Sequence, residues 1–255
     1  MQDDPLFRRI RQHAEKRLRF SETESDKARL ANLKEFLRLE NEMLRRYHEK
    51  GDSGLRVARA RAVLMDVLIQ SLHGYARSLA SDFLAKPKPI ALIAIGGYGR
   101  GELSPHSDLD LMFLYPRAAA GKPLESLKKT MIREILYPLW DLGLKVGHAT
   151  RAVRETLQES RRDIRTKNAL LDARFLCGDK NVTVRFFRKF KGFCHKDDPS
   201  GYLREILTSQ HARRKERGGT VYLQAPDVKN GMGGLRDYQA ILWMAKVKFE
   251  SEDIE

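Results

Sequence analysis

The stretch Ile95-Gly96-Gly97-Tyr98-Gly99-Arg100-Gly101-Glu102-Leu103-Ser104-Pro105-His106-Ser107-Asp108-Leu109-Asp110-Leu111 decides how this chain folds. The apolar run Ile90-Ala91-Leu92-Ile93-Ala94 leads into it, and Met112-Phe113-Leu114 continues from its end. Short apolar runs bounded by Gly and Pro read as buried strands rather than helices. The order predicted is a strand, a glycine-rich loop, and a second strand that opens on two aspartates. Glycines let backbone N–H groups approach a phosphate because no side chain intervenes. Side chains alternate along a strand, so Asp108 and Asp110, two apart, point the same way. Two converging carboxylates beside a phosphate cradle suit a divalent metal and a nucleotide.

On the N-terminal side, Leu30, Leu33, Phe36, Leu37, Met43, Leu44 and Tyr47 recur at three- and four-residue spacing and predict a helix over ~22–50. Gly51-Asp52-Ser53-Gly54 breaks it, and a second helix is expected over ~55–85, stopped by Lys86-Pro87-Lys88-Pro89. On the C-terminal side, a loop from Pro116 to Pro123 precedes a helix over ~124–141, and Leu144 to Thr150 alternates as a third strand. Helices are expected over ~151–160, ~163–177, ~181–195, ~199–217 and ~235–249, with a long loop from Gly218 to Gly234. Helix dominates after residue ~150. The acidic end 250–255 follows closely on the last helix and reads as the end of a fragment.

Composition narrows the class. With 255 residues, 42% hydrophobic and 32% charged, the chain is expected to be a soluble globular protein with an ample core. No apolar run approaches the ~20 residues of a membrane span, and the N-terminus lacks an apolar signal core. Two distant cysteines, Cys177 and Cys194, argue for reduced thiols in the cytoplasm and against a zinc site. The net charge of +14 suits an anionic partner, but its Lys and Arg are scattered without interleaved aromatics. Nucleic acid is therefore not the expected partner.

The glycine-rich stretch lacks the Gly-Lys-[Ser/Thr] of a Walker loop, and its aspartates come too soon for a dinucleotide fingerprint. Gly96-Gly97-Tyr98-Gly99-Arg100-Gly101-Glu102-Leu103 with Ser107-Asp108-Leu109-Asp110-Leu111 resembles the DNA-polymerase-β-type nucleotidyltransferase signature, in the form seen in the bacterial protein-PII uridylyltransferase (GlnD) family. Tyr137 to His148 resembles the segment after that family's catalytic strands. Pro226-Asp227-Val228-Lys229-Asn230-Gly231-Met232-Gly233-Gly234-Leu235-Arg236-Asp237 resembles a stretch of its helical partner domain. The likeness runs from ~90 to ~247.

The resemblance implies an α+β, DNA-polymerase-β-like nucleotidyltransferase fold, a small mixed sheet with helices, plus an all-helical domain. The expected divisions are 1–86 as N-terminal helices, 87–150 as the nucleotidyltransferase core, and 151–255 as the helical uridylyltransferase-associated part. The implied activity is transfer of UMP from UTP to a tyrosine of the PII signalling protein in nitrogen regulation. Asp108 and Asp110 would hold Mg²⁺ (or Mn²⁺) as catalytic and metal residues; Gly96, Gly97, Ser107 and Arg100 would meet the nucleotide. Lys229 and Arg236 would reach the triphosphate or the PII loop. Read from the residues alone, Arg100 is equally a surface residue, and Gly233-Gly234 a simple turn with Arg236-Asp237 a local ion pair.

Two departures stand out. Relatives of this superfamily add a third carboxylate as general base, and the third strand here has none; Asp163, Asp172 and His148 are the candidates, and the base stays unassigned. No His-Asp dipeptide occurs in the 255 residues, so UMP removal is not expected of them, nor is glutamine sensing. Alternatives remain open: another acceptor (RNA, a small molecule or glutamine synthetase), or a regulatory module that binds nucleotide or PII without transfer.

Overall fold

The computed structural model describes residues 4–81, 89–116, 122–220, 222, 225 and 227–249. The chain forms two compact units, Met1–Thr156 with Asp172–Thr183, and Leu157–Leu171 with Val184–Glu255. Lys86 to Lys88 of the proline stop, most of the 116–123 loop, Val221, Leu223 and Pro226, and the acidic end fall outside the described residues.

The first unit opens with α1 (Pro5–Arg17), α2 (Asp26–Glu49) and α3 (Gly54–Ser81). Asp4 caps α1 by accepting the Leu6 N–H, and Ser25 caps α2 by accepting that of Ala28. The sequence reading has no helix before ~22. In α1 the stripe Leu6, Phe7, Ile10, Ala14 is diluted by Arg8, Arg9 and Arg11, which hides its period until the buried face is seen.

The chain then runs through β1 (Ala91–Ala94), the single helical turn α4 (Gly96–Gly99), β2 (Leu109–Tyr115), α5 (Lys122–Met131), α6 (Tyr137–Asp141), β3 (Val146–Ala152), α7 (Val153–Arg162), α8 (Ile164–Leu171) and β4 (Arg174–Gly178). A π turn, Ile132–Leu136, joins α5 to α6. It sits just before Pro138, whose missing N–H interrupts the helical ladder. The four strands form a mixed sheet in the order β3-β2-β1-β4. β1 is antiparallel to β2 (Ala91 opposite Leu114) and to β4 (Ala91 opposite Gly178), whereas β2 and β3 are parallel, as their helical crossover requires. β1 and the central residues of β2 are buried, and each of their large apolar side chains contributes about 1.5–3 kcal/mol on burial.

One expected helix is corrected. The reading over ~163–177 merges α8 with β4, because a short apolar run such as Phe175-Leu176-Cys177 carries no decisive period. Pairing with β1 makes it a strand, and Gly178 closes it at φ +94°, where a Cβ would meet the Ile90 carbonyl at 2.4 Å.

The second unit is helical: α8, most of α9 (Lys180–Lys196), α10 (Pro199–Glu216) and α11 (Leu235–Phe249). Phe186, Phe190 and Phe193 line up along α9, and buried Lys167 lies between the rings of Phe193 and Tyr202. The α+β class with a helical part is thus the observed one. No described helix is long and apolar enough to cross a membrane.

Candidate active site

The glycine stretch folds as a helical turn between two strands, not as an open loop. Gly96 takes φ +58°, which glycine adopts without strain. Carbonyls of Ile95 and Gly96 accept the N–H groups of Gly99 and Arg100. The first N–H groups of such a turn have no partner within it and are free to bind an anion.

The turn is held from beneath. Tyr98 is fully buried and donates its hydroxyl to Asp66 of α3 at 2.7 Å. Arg174 of β4 pairs with the same carboxylate at 2.7 and 3.0 Å and also donates to the carbonyls of Tyr98 and Gly99. Burial, then the charge of Asp66, pushes the Tyr98 phenol well above its ordinary value, so it stays a donor. At Gly99 a Cβ would lie 2.1 Å from the Asp172 carbonyl oxygen, so no larger residue fits without backbone movement. Asp66, Tyr98 and Arg174 are not among the residues expected from sequence. A large aromatic, Tyr98, inside a glycine run was the available signal.

Asp108 stands one residue before β2 and is exposed; Asp110 lies within the strand and is half-buried. The Asp110 carbonyl accepts the Ile95 N–H at 3.0 Å, tying both ends of the turn. Its carboxylate occupies a space that two glycines leave open. A Cβ at Gly96 would lie 3.5 Å from Oδ2, and one at Gly147, its partner on β3, 2.7 Å from Oδ1. Burial first, and then the negative charge of Asp108, raises the Asp110 carboxyl above its ordinary value. In the sequence the signal for Gly147 is a glycine inside a strand, which marks close approach of another group.

Gly97 sits in the same turn, with its would-be Cβ 3.5 Å from the Arg100 guanidinium. Ser107 is exposed at the bend before Asp108, its N–H donated to Ser104 at 3.0 Å. Arg100 binds the buried carboxylate of Asp172 and lies 3.8 Å from Glu102. Asp172, one candidate for the third acid, is therefore engaged as the anchor of Arg100. Asp163 caps α8, accepting from the backbone of Arg165 and Thr166 and from the Thr166 hydroxyl, which lowers its carboxyl. His148 is exposed and packs edge-on against Trp140, 5.8 Å between ring centres. Among the described residues no group of three or more His, Cys, Asp or Glu side chains is gathered as for a metal cage.

Lys229 and Arg236 lie in the second unit. There the 227–237 segment is a self-bonded turn: Asp227 accepts the N–H groups of Lys229 and Asn230, and Arg236 donates its N–H to the Lys229 carbonyl at 2.9 Å. The local Arg236-Asp237 ion pair is not formed. Asp237 instead pairs with Arg213 and Arg214 of α10 and accepts the Gly233 N–H, while Arg236 donates to Gln239. Burial works against the Asp237 charge, but these donors outweigh it and lower its carboxyl.

A divalent cation fits the first unit's pair. Mg²⁺ is commonly held by one or two carboxylates with phosphates and waters completing its shell, so a third protein ligand is not required. Asp108 is exposed and Asp110 half-buried, so solvent and phosphate can reach the pair to complete such a shell.

Comparison with known proteins extends this reading. Residues 76–170 match the family model of the nucleotidyltransferase domain, and residues 202–255 match that of GlnD PII-uridylyltransferase. A bifunctional uridylyltransferase/uridylyl-removing enzyme of Novosphingobium aromaticivorans is 35% identical over 211 residues, covering 80% of this chain and 22% of that protein. The enzyme of the same description in Rhodospirillum rubrum is 33% identical over 215 residues, covering 84% and 22%. The chain thus spans about a fifth of the length of these curated relatives.

Proposed function

Because this chain belongs to the PII-uridylyltransferase (GlnD) family, with a nucleotidyltransferase domain in its first part, we propose that it transfers UMP from UTP to a tyrosine of a PII-type signalling protein with the help of Mg²⁺. The observation that carries this reading is the Asp110 carboxylate, set between Gly96 and Gly147 beside Asp108 and next to the turn Gly96–Gly99.

In this reaction the tyrosine oxygen forms a bond to the α-phosphorus of UTP, the α–β phosphoanhydride breaks, and pyrophosphate leaves with the bonding pair. The proton goes to solvent or to a general base. Asp108 and Asp110 would hold the divalent cation, which when bound would offset charge on the triphosphate and favour the ionised hydroxyl. Backbone N–H groups of Gly96 and Gly97 receive phosphate oxygens, and the Ser107 hydroxyl adds a donor. The Tyr98–Asp66–Arg174 network keeps the turn rigid, so little is lost to rearrangement when substrate arrives. Arg100 reaches a phosphate by leaving Asp172, and Lys229 and Arg236 are assigned to nucleotide or PII.

Purified chain incubated with Mg²⁺, labelled UTP and PII is expected to label PII, and the Asp108→Asn/Asp110→Asn variant to label nothing. Labelling of tRNA in preference to PII would move the acceptor. The absence of a third acid beside the pair, among the described residues, favours one other reading, a module that binds nucleotide without transfer. Nucleotide binding with no labelling of any acceptor would establish it.

A further inference from the structure

A charged, half-open cavity lies away from the glycine turn, between α1 and α2. Its volume is about 680 Å³, within the range of small-molecule sites. Five cations line it: Arg9, Lys16, Arg17, Arg46 and Lys50. Among the described residues none of the five lies within ion-pairing distance of a carboxylate. Glu42, at the rim, is already taken by Arg38 at 2.9 Å.

The floor differs in kind. Glu40 is 3% exposed and lines the same cavity. One carboxylate oxygen meets Nδ1 of His13 at 2.9 Å, while the other, Oε2, is buried without any hydrogen-bond partner. A buried acceptor left unmatched costs about 1–3 kcal/mol, and a carboxylate beneath a ring of unpaired cations asks for a donor from a ligand. Leu39, Met43 and the half-buried ring of Tyr47 supply apolar wall.

We propose that the α1–α2 cavity is a binding site for a nucleoside polyphosphate, separate from the glycine-turn site. The cations receive the phosphates, Glu40 Oε2 accepts from a ribose hydroxyl or a base amino group, and Leu39, Met43 and Tyr47 pack against the nucleoside. A purely electrostatic patch needs no buried carboxylate, and an apolar ligand needs no cations; this ligand class uses both.

The test is calorimetric titration of ATP into the protein in EDTA, where the Asp108–Asp110 site has no divalent ion to help it bind nucleotide. Wild-type protein and Asp108→Asn/Asp110→Asn are expected to bind alike, and Arg17→Glu/Arg46→Glu, which alters exposed side chains only, at least about tenfold more weakly. Glu40→Gln is expected to weaken ATP several-fold and leave inorganic tripolyphosphate unchanged. No ATP binding up to about 1 mM would overturn the proposal. So would binding lost in the aspartate variant and kept in the arginine variant, or equal affinity for ATP and tripolyphosphate. If Glu40→Gln fails to fold by circular dichroism, the arginine variant and the ATP-to-tripolyphosphate ratio decide alone.

Discussion

Replacing Gly147 by alanine separates stability from chemistry at the Asp110 site. The position does not use positive φ, so alanine is allowed by the backbone. Its Cβ would stand 2.7 Å from Asp110 Oδ1, where ordinary contact begins at 3.4 Å, so the carboxylate must retreat by roughly 0.7 Å. Turning a short side chain that far off its well costs about 0.5–1.5 kcal/mol. Alanine returns about 0.4–1 kcal/mol by restricting the unfolded chain. Net stability is then within about 1 kcal/mol of wild type. Displacing the oxygen proposed to hold the metal by a comparable distance costs about 10²-fold in rate. Gly147→Ala is therefore expected to match wild type in urea denaturation while losing about 10²-fold in UMP transfer to PII. Gly192→Ala, a helical glycine with nothing within 4 Å of its would-be Cβ, serves as the control that changes neither transfer nor fold for the worse. Unimpaired transfer by stable Gly147→Ala protein would refute the placement of the chemistry at Asp110.

Asp110→Asn should raise the stability of metal-free protein at pH 7. The native carboxyl is raised by burial and by Asp108, so the fold binds its proton more tightly than the unfolded chain does. The penalty is full above the native value, fades as pH falls from there towards the unfolded one, and is gone below it; thermal melts from pH 7 to pH 3 should show the advantage of Asn shrinking. Added Mg²⁺ should raise the melting temperature of wild type but not of Asp108→Asn/Asp110→Asn. Gly99→Ala forces a Cβ onto the Asp172 carbonyl and should cost about 1–3 kcal/mol in urea denaturation. Arg174→Met strips two hydrogen bonds from Asp66 and should cost about 2 kcal/mol, and it should lower kcat for transfer as the turn loosens. Burial pushes the Cys177 thiol to about 12, so native protein should resist alkylation there at pH 8, and rapid labelling would contradict its placement in β4.

Much of the site was legible because its information is local. Glycines at 96, 97 and 99 followed by Ser107-Asp108-Leu109-Asp110 specify a turn and a pair of acids within fifteen residues of sequence. The period of α2 and α3 was equally plain. Local pattern failed where partners are distant. Asp172 reads as a helix-end or surface acid until Arg100, 72 positions away, is seen to bind it. Asp237 reads as a partner of Arg236 until α10 brings Arg213 and Arg214 to it.

The sequence by itself determined the local arrangement: a glycine turn followed by a strand entered through Asp108 and carrying Asp110, in a chain whose later part is helical. Side-chain spacing and backbone freedom are properties of neighbouring residues, so no fold is needed to read them. Only the tertiary structure decided what surrounds those residues. Parallel pairing of β2 with β3 sets Gly147 against Asp110, α3 and β4 clasp Tyr98, and α1 against α2 assembles five cations over Glu40. Strand register and helix packing are settled by burial across the whole core, and they join residues that the linear order keeps far apart.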